Sequence, residues 1–371
     1  MSRDAWCWNV VWTPNTVRLL LPFVRSLAFH AEQNRFRLVS NGCSPEEVAL
    51  LEELSQSSDQ FELQIWSSSC LTHGEVLSGL QQQERGRRFA IIDSDIFASA
   101  PYEQAFRNAL LGHAAVFTGK PIWANAEYNR MPRGFQCMSG VYGTLWNNQV
   151  CGMTYCAVYD NDRLNECLRE FQISLRPYGW KQLPARVQQL FRQQGLQVAH
   201  YDTAKVANLL LGISGASLAN FDAPGLTHLG GISSVTLRDP QKTARRRKFL
   251  HLVYGLLPRF MRRLCALLGI HTHWRIYASR AENQSDLLKA WRRHSSCRYL
   301  ARVLNELNGG AAVTEAYQHE DPRLVAEVQR VQQELTDLFA QNFGQNEVRA
   351  STDSSAGDLA VLANPLPAAW E

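Results

Sequence analysis

The sequence predicts an α/β fold in which a mostly parallel sheet is flanked by helices, followed by a helical basic C-terminal extension. Two observations predict the sheet. Strand-like and helix-like segments alternate through the first 120 residues, and ligand-capable residues fall just past the ends of the strands. A third, an abrupt switch to basic, helix-patterned sequence after Asp239, predicts the extension. At 371 residues the chain is long enough for one large domain or two ordinary ones, and 45% apolar residues suffice for a packed core. The formal charge of +4 is too small to make the whole molecule a nucleic-acid binder.

The alternation runs as follows. Trp8 to Thr13 is apolar and β-branched and reads as a strand. Thr13 then caps a helix with Pro14 at its first position, carrying Val17, Leu20, Leu21, Val24 and Leu27 on one face. Phe36 to Val39 is a second strand, and Ser44-Pro45-Glu46-Glu47 opens a second helix by cap, proline and acid. Phe61 to Trp66 is a third strand and Val76 to Gln83 a helix. Phe89 to Ile92 is a fourth strand, followed after Pro101 by a helix to Leu111, and Ala114 to Thr118 is a fifth strand. In such sheets ligands sit beyond the carboxyl ends of the strands. Thr13-Pro14-Asn15, Ser40-Asn41-Gly42 and Asp93-Ser94-Asp95 all fall there, so three loops converge on one edge.

From 121 to about 236 aromatic residues sit among glycines and asparagines. Met153 to Tyr159 and Val198 to Tyr201 read as strands, and Asp162 to Phe171, Pro184 to Gln194 and Thr203 to Leu211 as helices. Aromatics such as Trp123, Tyr128, Phe135, Tyr142 and Trp146 serve either to stack on a ligand or, more commonly, as core. Met138 to Val141 and Cys151 to Thr154 suit a flexible acceptor loop.

Between Pro240 and Ala281 stand ten Lys or Arg and no acid. Phe260, Met261, Leu264, Leu267 and Leu268 fall at helical spacing opposite Arg259, Arg262 and Arg263. A cationic amphipathic segment over 242–268 suits an anionic membrane surface, each basic residue contributing about 1 kcal/mol there; otherwise its apolar stripes pack on the catalytic domain. No nucleic-acid reading module accompanies it. The expected division is an α/β unit at 1–239 (a first half at 1–120 and a second at 121–239), a helical basic extension at 240–349, and a disordered tail at 350–371. The start of the chain is strand-like rather than signal-like, and no stretch reaches membrane-span length. Nine scattered cysteines without a Cys-x-x-Cys pair fit a reducing cytoplasm, so the expected location is cytoplasmic, peripheral on the inner membrane face if the basic segment binds lipid.

Asp93-Ser94-Asp95 is the sharpest chemical signal. Two carboxylates two residues apart at a strand exit can face one cation, and hard oxygen ligands suit Mg²⁺ or Mn²⁺ with positions left for diphosphate oxygens. The competing readings are a chance pair in which one Asp merely caps a loop, and a phosphatase-type nucleophile pair, which belongs after a first strand rather than a fourth. His228, in Thr227-His228-Leu229-Gly230-Gly231, can add an imidazole to such a site or be an ordinary turn histidine.

The order of these pieces resembles the GT-A glycosyltransferase fold, in the bacterial family-2-like group. Val10 to Asn15, Arg37 to Cys43, Ala90 to Asp95 and His228 to Ser233 carry the resemblance, which spans roughly residues 6 to 236. It implies a GT-A-like (Rossmann-like) domain in which Asp93, Ser94 and Asp95 hold Mn²⁺ or Mg²⁺ and the nucleotide-sugar diphosphate, with His228 completing the metal shell. It also implies that Thr13, Pro14 and Asn15, and less directly Asn41, meet the nucleotide. The partners it implies are a nucleotide-sugar donor and a glycan or lipid-linked acceptor. An inverting enzyme needs a carboxylate base near the acceptor hydroxyl. Asp202 is the first candidate for it, although it can equally be a helix N-cap; Asp160 and Asp162 come second, with capping the more ordinary role for both. The alternatives to glycosyl transfer are a nucleotidyltransferase, against which the first loop lacks a Gly-rich basic sequence, and a non-catalytic scaffold at a membrane surface.

Overall fold

A computed structural model of the chain describes residues 5–31, 33–123, 154–197, 200–233 and 284–343. The elements in order are β1 (Cys7–Trp12), α1 (Val17–Phe29), β2 (Arg35–Asn41), α2 (Pro45–Ser57), β3 (Phe61–Ser67), α3 (His73–Gln83), β4 (Arg88–Asp93), β5 (Ile96–Ala98), α4 (Glu103–Ala109) and β6 (Ala115–Thr118). After them come β7 (Cys156–Asp160), α5 (Asn161–Phe171), β8 (Tyr178–Gly179), α6 (Ala185–Gln193), β9 (His200–Tyr201), α7 (Lys205–Ile213), β10 (Leu218–Asn220) and β11 (Leu226–His228), then α8 (Gln284–Leu307) and α9 (Pro322–Leu338).

Seven strands form one sheet in the order β10-β6-β7-β4-β1-β2-β3. The pairs β1–β2, β1–β4, β2–β3 and β6–β10 are parallel, as a strand–helix–strand sequence requires. Strand β7 runs antiparallel between β4 and β6, so the sheet is mixed at this point. The mostly parallel sheet between helices is the α/β class that the sequence predicts.

Alternation along the strands builds the two faces. Ala90 and Ile92 join a core with Trp8, Val10, Trp12 and helix α1, whereas Phe89 and Ile91 join a second core with Leu77, Leu80, Tyr159 and Leu209. The first core also contains Leu300, Val303, Leu304, Val328, Val331 and Leu335, so helices α8 and α9 pack on the α1 face of the sheet. Those C-terminal helices thus share the core of the α/β unit.

Helix starts explain how the loops at the carboxyl edge are held. Ser44 and Glu47 form a reciprocal capping box, with Ser44 Oγ accepting from Glu47 N (3.3 Å) and Glu47 Oε2 accepting from Ser44 N (3.1 Å). Thr72 and Glu75 form another at the start of α3. Each cap contributes on the order of 1 kcal/mol. The second oxygen of Glu47 reaches Val17 N (3.4 Å), so one side chain serves the open ends of two helices.

Several boundaries differ from the sequence expectation. Thr13 does not cap α1, and Pro14 is not in the helix: Thr13 to Asn15 form a turn in which Asn15 adopts φ 64°, and α1 begins at Val17. Thr16 Oγ1 donates to the Thr13 carbonyl (2.5 Å) and closes that turn. Asp202 does not cap α7, which begins at Lys205 after Ala204 in a left-handed conformation. Asp160 does cap α5, accepting from Arg163 N at 3.2 Å. The basic segment 242–268, the proposed acceptor loops at 138–141 and 151–153, the aromatics Tyr128, Phe135, Tyr142 and Trp146, and the tail at 350–371 lie outside the described residues. Among the described residues, no helix is long and apolar enough to cross a membrane.

Candidate metal centre

Strand β4 ends at Asp93, paired with Val11 of β1, while Trp12 of β1 pairs with Ser40 of β2. The exits of these three adjacent strands therefore sit side by side, which brings Thr13 to Asn15, Asn41 and Asp93 to Asp95 to one edge. Strand β5 follows directly and runs antiparallel to β11, with Ile96 opposite His228. This two-stranded ribbon carries His228 to the Asp-Ser-Asp turn across 133 residues of chain.

Ligand atoms of Asp93, Asp95 and His228 lie within 4.8 Å of one another. His228 Nε2 is 3.1 Å from Asp95 Oδ1 and 3.8 Å from Asp93 Oδ2. His228 Nδ1 lies 2.5 Å from the Gly119 carbonyl oxygen. A carbonyl can only accept, so Nδ1 carries a proton; Nε2 is the nitrogen turned to the carboxylates, donating to Asp95 when the ring is an imidazolium and free to bind a cation when it is neutral. That is how a metal-binding imidazole is oriented, with one ring nitrogen held by a carbonyl and the other left to the cation. The Tyr155 ring packs on the imidazole with centroids 4.8 Å apart.

Asp95 is fixed on every side. Its Oδ2 accepts from Gly231 N (2.8 Å) and Ile232 N (3.1 Å), and its backbone carbonyl accepts from Leu229 N (3.1 Å). The loop that makes these contacts depends on Gly230, at φ +73°, where a Cβ would lie 2.4 Å from Pro121 Cβ. Asp93 is held through its backbone, its N–H donating to the Tyr155 carbonyl (2.7 Å), and its side chain, 3.8 Å from His228 Nε2, keeps 22% exposure against 8% for Asp95.

The electrostatics follow the same division. Burial pushes the Asp95 carboxyl up, but the His228 charge, its hydrogen bond and the two backbone N–H groups outweigh it and hold the group at about 2. Burial raises Asp93 to about 8; His228 opposes the rise, and Asp95 and Asp202 add to it. Burial alone would lower His228, yet Asp95 first and Asp93 after it hold the imidazole above its ordinary range. Among the described residues no Lys or Arg pairs with Asp93 or Asp95. One imidazole is shared by two carboxyl groups whose potential Asp202 reinforces, so ionising Asp93 leaves negative charge that a divalent cation would neutralise. Oxygen, oxygen and imidazole nitrogen form a donor set that fits Mn²⁺ or Mg²⁺.

The remaining candidates are placed unevenly. Asp202 lies close enough to Asp93 to raise its carboxyl, and its own Oδ1 accepts from Thr203 N (2.8 Å). Asp160 is spent elsewhere, in an ion pair with Arg88 at 3.4 Å, and Asp162 is an exposed first-turn residue of α5. Asn41 is fully buried; its amide donates to the Leu71 carbonyl (3.0 Å) and accepts from Leu71 N (2.9 Å), fastening one loop to another. Thr13 Oγ1 is buried and has no hydrogen-bond partner among the described residues, while Asn15 is exposed. Trp123 is buried and donates to the Gly230 carbonyl (2.6 Å), so it belongs to the support of the loop rather than to a sugar-stacking surface.

Residue-type reasoning did not single out Gly119, whose carbonyl orients His228, or His73, the first residue of α3. The pKa of His73 is lowered by burial, while Asp202 and Asp95 pull it the other way, which places it beside the same acids. The sequence pattern starts this helix at Val76 and so passes over His73, which stands in its first turn after the Thr72 cap.

No protein-family model matches the chain, and no curated protein matches it. Among solved structures, it is similar to a mannosyltransferase from Pyrobaculum calidifontis, in complex with GDP-mannose and Mn²⁺ (11% identity, 94% of this chain and 88% of that one, TM-score 0.40). It is also similar to the galactosyltransferase LgtC, in complex with donor and acceptor sugar analogues (9% identity, 58% and 73%, TM-score 0.37). A third is the 4-diphosphocytidyl-2C-methyl-D-erythritol synthase of Anaerococcus prevotii (10% identity, 59% and 87%, TM-score 0.34). These likenesses are distant, and the functional reading stands on the geometry of the site.

Proposed function

We propose that this chain is a metal-dependent glycosyltransferase that moves a sugar from a nucleotide-sugar donor to a glycan or lipid-linked glycan acceptor. The observation that carries the reading is the convergence of Asp93, Asp95 and His228 at the carboxyl edge of the parallel strands, with ligand atoms within 4.8 Å. Mn²⁺ or Mg²⁺ bound there supplies charge neutralisation for a departing nucleoside diphosphate. Asp95 and His228 are preorganised for it by Gly231, Ile232 and Gly119. Asp93, the more exposed of the two carboxylates, is assigned as the ligand that adjusts as substrate arrives. His228 must give up any proton on Nε2 to serve as a ligand, so cation binding and imidazolium formation exclude each other.

The turn at Thr13 to Asn15 is assigned to the nucleotide, and the buried Thr13 hydroxyl is a group that a ligand can satisfy. Ser94, in the turn between the two carboxylates, is assigned to the diphosphate. Asn41 acts by holding the neighbouring loop. Asp202 is the candidate base for an acceptor hydroxyl, because its charge acts on Asp93. Residues 1–239 form the catalytic unit in this reading, and segment 242–268 brings it to an anionic membrane surface on the cytoplasmic side.

Titration calorimetry against a panel of nucleoside diphosphates, with and without Mn²⁺, tests the proposal. One base should bind in a metal-dependent manner, and the matching nucleotide-sugar should be hydrolysed slowly with Mn²⁺ present. Release of pyrophosphate from a nucleoside triphosphate would make the protein a nucleotidyltransferase instead. Binding that ignores the metal would end the metal reading.

A further inference from the structure

Helices α8 and α9 do more than cover the α1 face. Each sends one polar side chain to the segment that carries His228. Cys297 of α8, fully buried, donates its thiol to the Gly230 carbonyl at 3.1 Å. The same carbonyl accepts from Trp123 Nε1. Glu334 of α9 accepts the hydroxyl hydrogen of Thr227 through Oε2 at 3.0 Å, one residue before His228. Its other oxygen is paired with Arg330, which Glu327 holds in turn at 2.7 Å. The carboxylate is therefore oriented from within its own helix before it meets the ribbon.

We propose that Cys297 and Glu334 are positioning residues of the metal centre, acting through the Thr227–Ile232 segment; the inference rests on the reading of Asp93, Asp95 and His228 as cation ligands. The argument is geometric. Gly230 sits between two groups that face the site, His228 on one side and the Gly231 and Ile232 N–H donors to Asp95 on the other. Fixing the Gly230 carbonyl fixes the peptide plane that also contains the Gly231 N–H. Fixing the Thr227 side chain sets the strand register that places His228 opposite Ile96. Two side chains 67 and 107 residues further along the chain thus close the support of the ligand set, and the helices that carry them extend the 1–239 unit past its expected boundary. A site built this way loses affinity when its outer contacts are removed, because the ligands must then be ordered by the cation itself.

The test is Mn²⁺ affinity of the full chain by calorimetry, beside the thermal midpoint in chelator. Cys297→Ala with Glu334→Leu removes both contacts and should weaken Mn²⁺ binding by about tenfold or more. Cys297→Ser with Glu334→Gln keeps a donor and an acceptor at the same places and should stay close to the unmodified chain. Val331→Ala removes buried packing from α9 without touching the ribbon. It should lower the thermal midpoint and leave the affinity unchanged. If the first double variant does not fold, Glu334→Leu alone, which leaves Cys297 in place, should still show a clear loss. Affinity preserved when the contacts are lost overturns the inference, as does an equal loss in Val331→Ala. If the unmodified chain binds no Mn²⁺ at all, the metal reading itself falls and takes this inference with it.

Discussion

Strand β4 begins at Arg88 and ends at Asp93, and carboxylates are treated in opposite ways at its two ends. At the amino end Asp160 meets the Arg88 guanidinium at 3.4 Å and caps α5 through Arg163 N at 3.2 Å. Its charge is matched and its oxygens are used. At the carboxyl end Asp93 and Asp95 share one imidazole, and Asp202 adds to the negative potential. The difference teaches which acids are architecture and which are kept for a ligand. A carboxylate with a guanidinium and a helix start is complete without substrate. A carboxyl raised to about 8 by burial and by other acids, with a shared imidazole at 3.8 Å, is incompletely matched without a ligand.

The strongest way to break that comparison is Asp95→Ala. Asp95 is a ligand in the proposed site and also the anchor of the Gly231–Ile232 backbone. Its loss should reduce Mn²⁺ affinity by at least about 100-fold and abolish metal-dependent donor hydrolysis, as read by calorimetry and nucleotide release. Wild-type affinity in this variant would remove the site from the argument altogether. Asp202→Asn comes next. As the acceptor-side base it should cost about 10² to 10⁴ in turnover while Mn²⁺ affinity stays near that of the unmodified chain. Unchanged turnover would point to another base or to a retaining reaction.

Asp93→Asn separates function from stability. The folded protein holds this carboxyl at about 8 against an ordinary 3.8, so it binds the proton more tightly than the unfolded chain does. The corresponding stability is therefore present below about pH 4 and lost as the pH climbs toward 8. In chelator, the amide variant should melt several degrees above the unmodified protein at pH 8, and the two should converge near pH 4. With Mn²⁺ added at pH 8 the order should reverse, because only the carboxylate is stabilised by the cation. Identical melting at both pH values would mean that Asp93 is not held up.

Much of this was legible in the residues, and the gaps have physical causes. The strand and helix alternation of the first 120 residues follows from apolar periodicity, and Ser44-Pro45-Glu46-Glu47 announces a capping box that the structure contains. Asp93, Asp95 and His228 were identifiable by residue type and strand position. The antiparallel run of β7 was not, because pairing between distant strands leaves no local pattern. Nor was the late start of α1, where Thr16 closes a turn that Thr13 and Pro14 seemed ready to cap. The Gly119 carbonyl and the Gly231 and Ile232 amides were invisible for a simpler reason. Every residue has these groups, and only the fold decides which of them face a ligand.

The smallest effect examines the amino end of β4. Asp160→Ala removes an N-cap and a partly buried ion pair together. The cap is worth about 1 kcal/mol and the pair up to about another 1 kcal/mol. For a chain of this size that lowers the melting midpoint by roughly 2–4 °C. Asp160→Asn keeps the capping oxygen and loses only the charge, so its midpoint should fall between the two. Both variants should bind Mn²⁺ as the unmodified chain does, since the carboxylate lies at the far end of β4 and its interactions are complete within α5 and Arg88. Should Asp160→Ala weaken metal binding as strongly as it lowers the midpoint, strand β4 would be transmitting strain from one end to the other, and the separation between structural and ligand-holding acids would no longer stand.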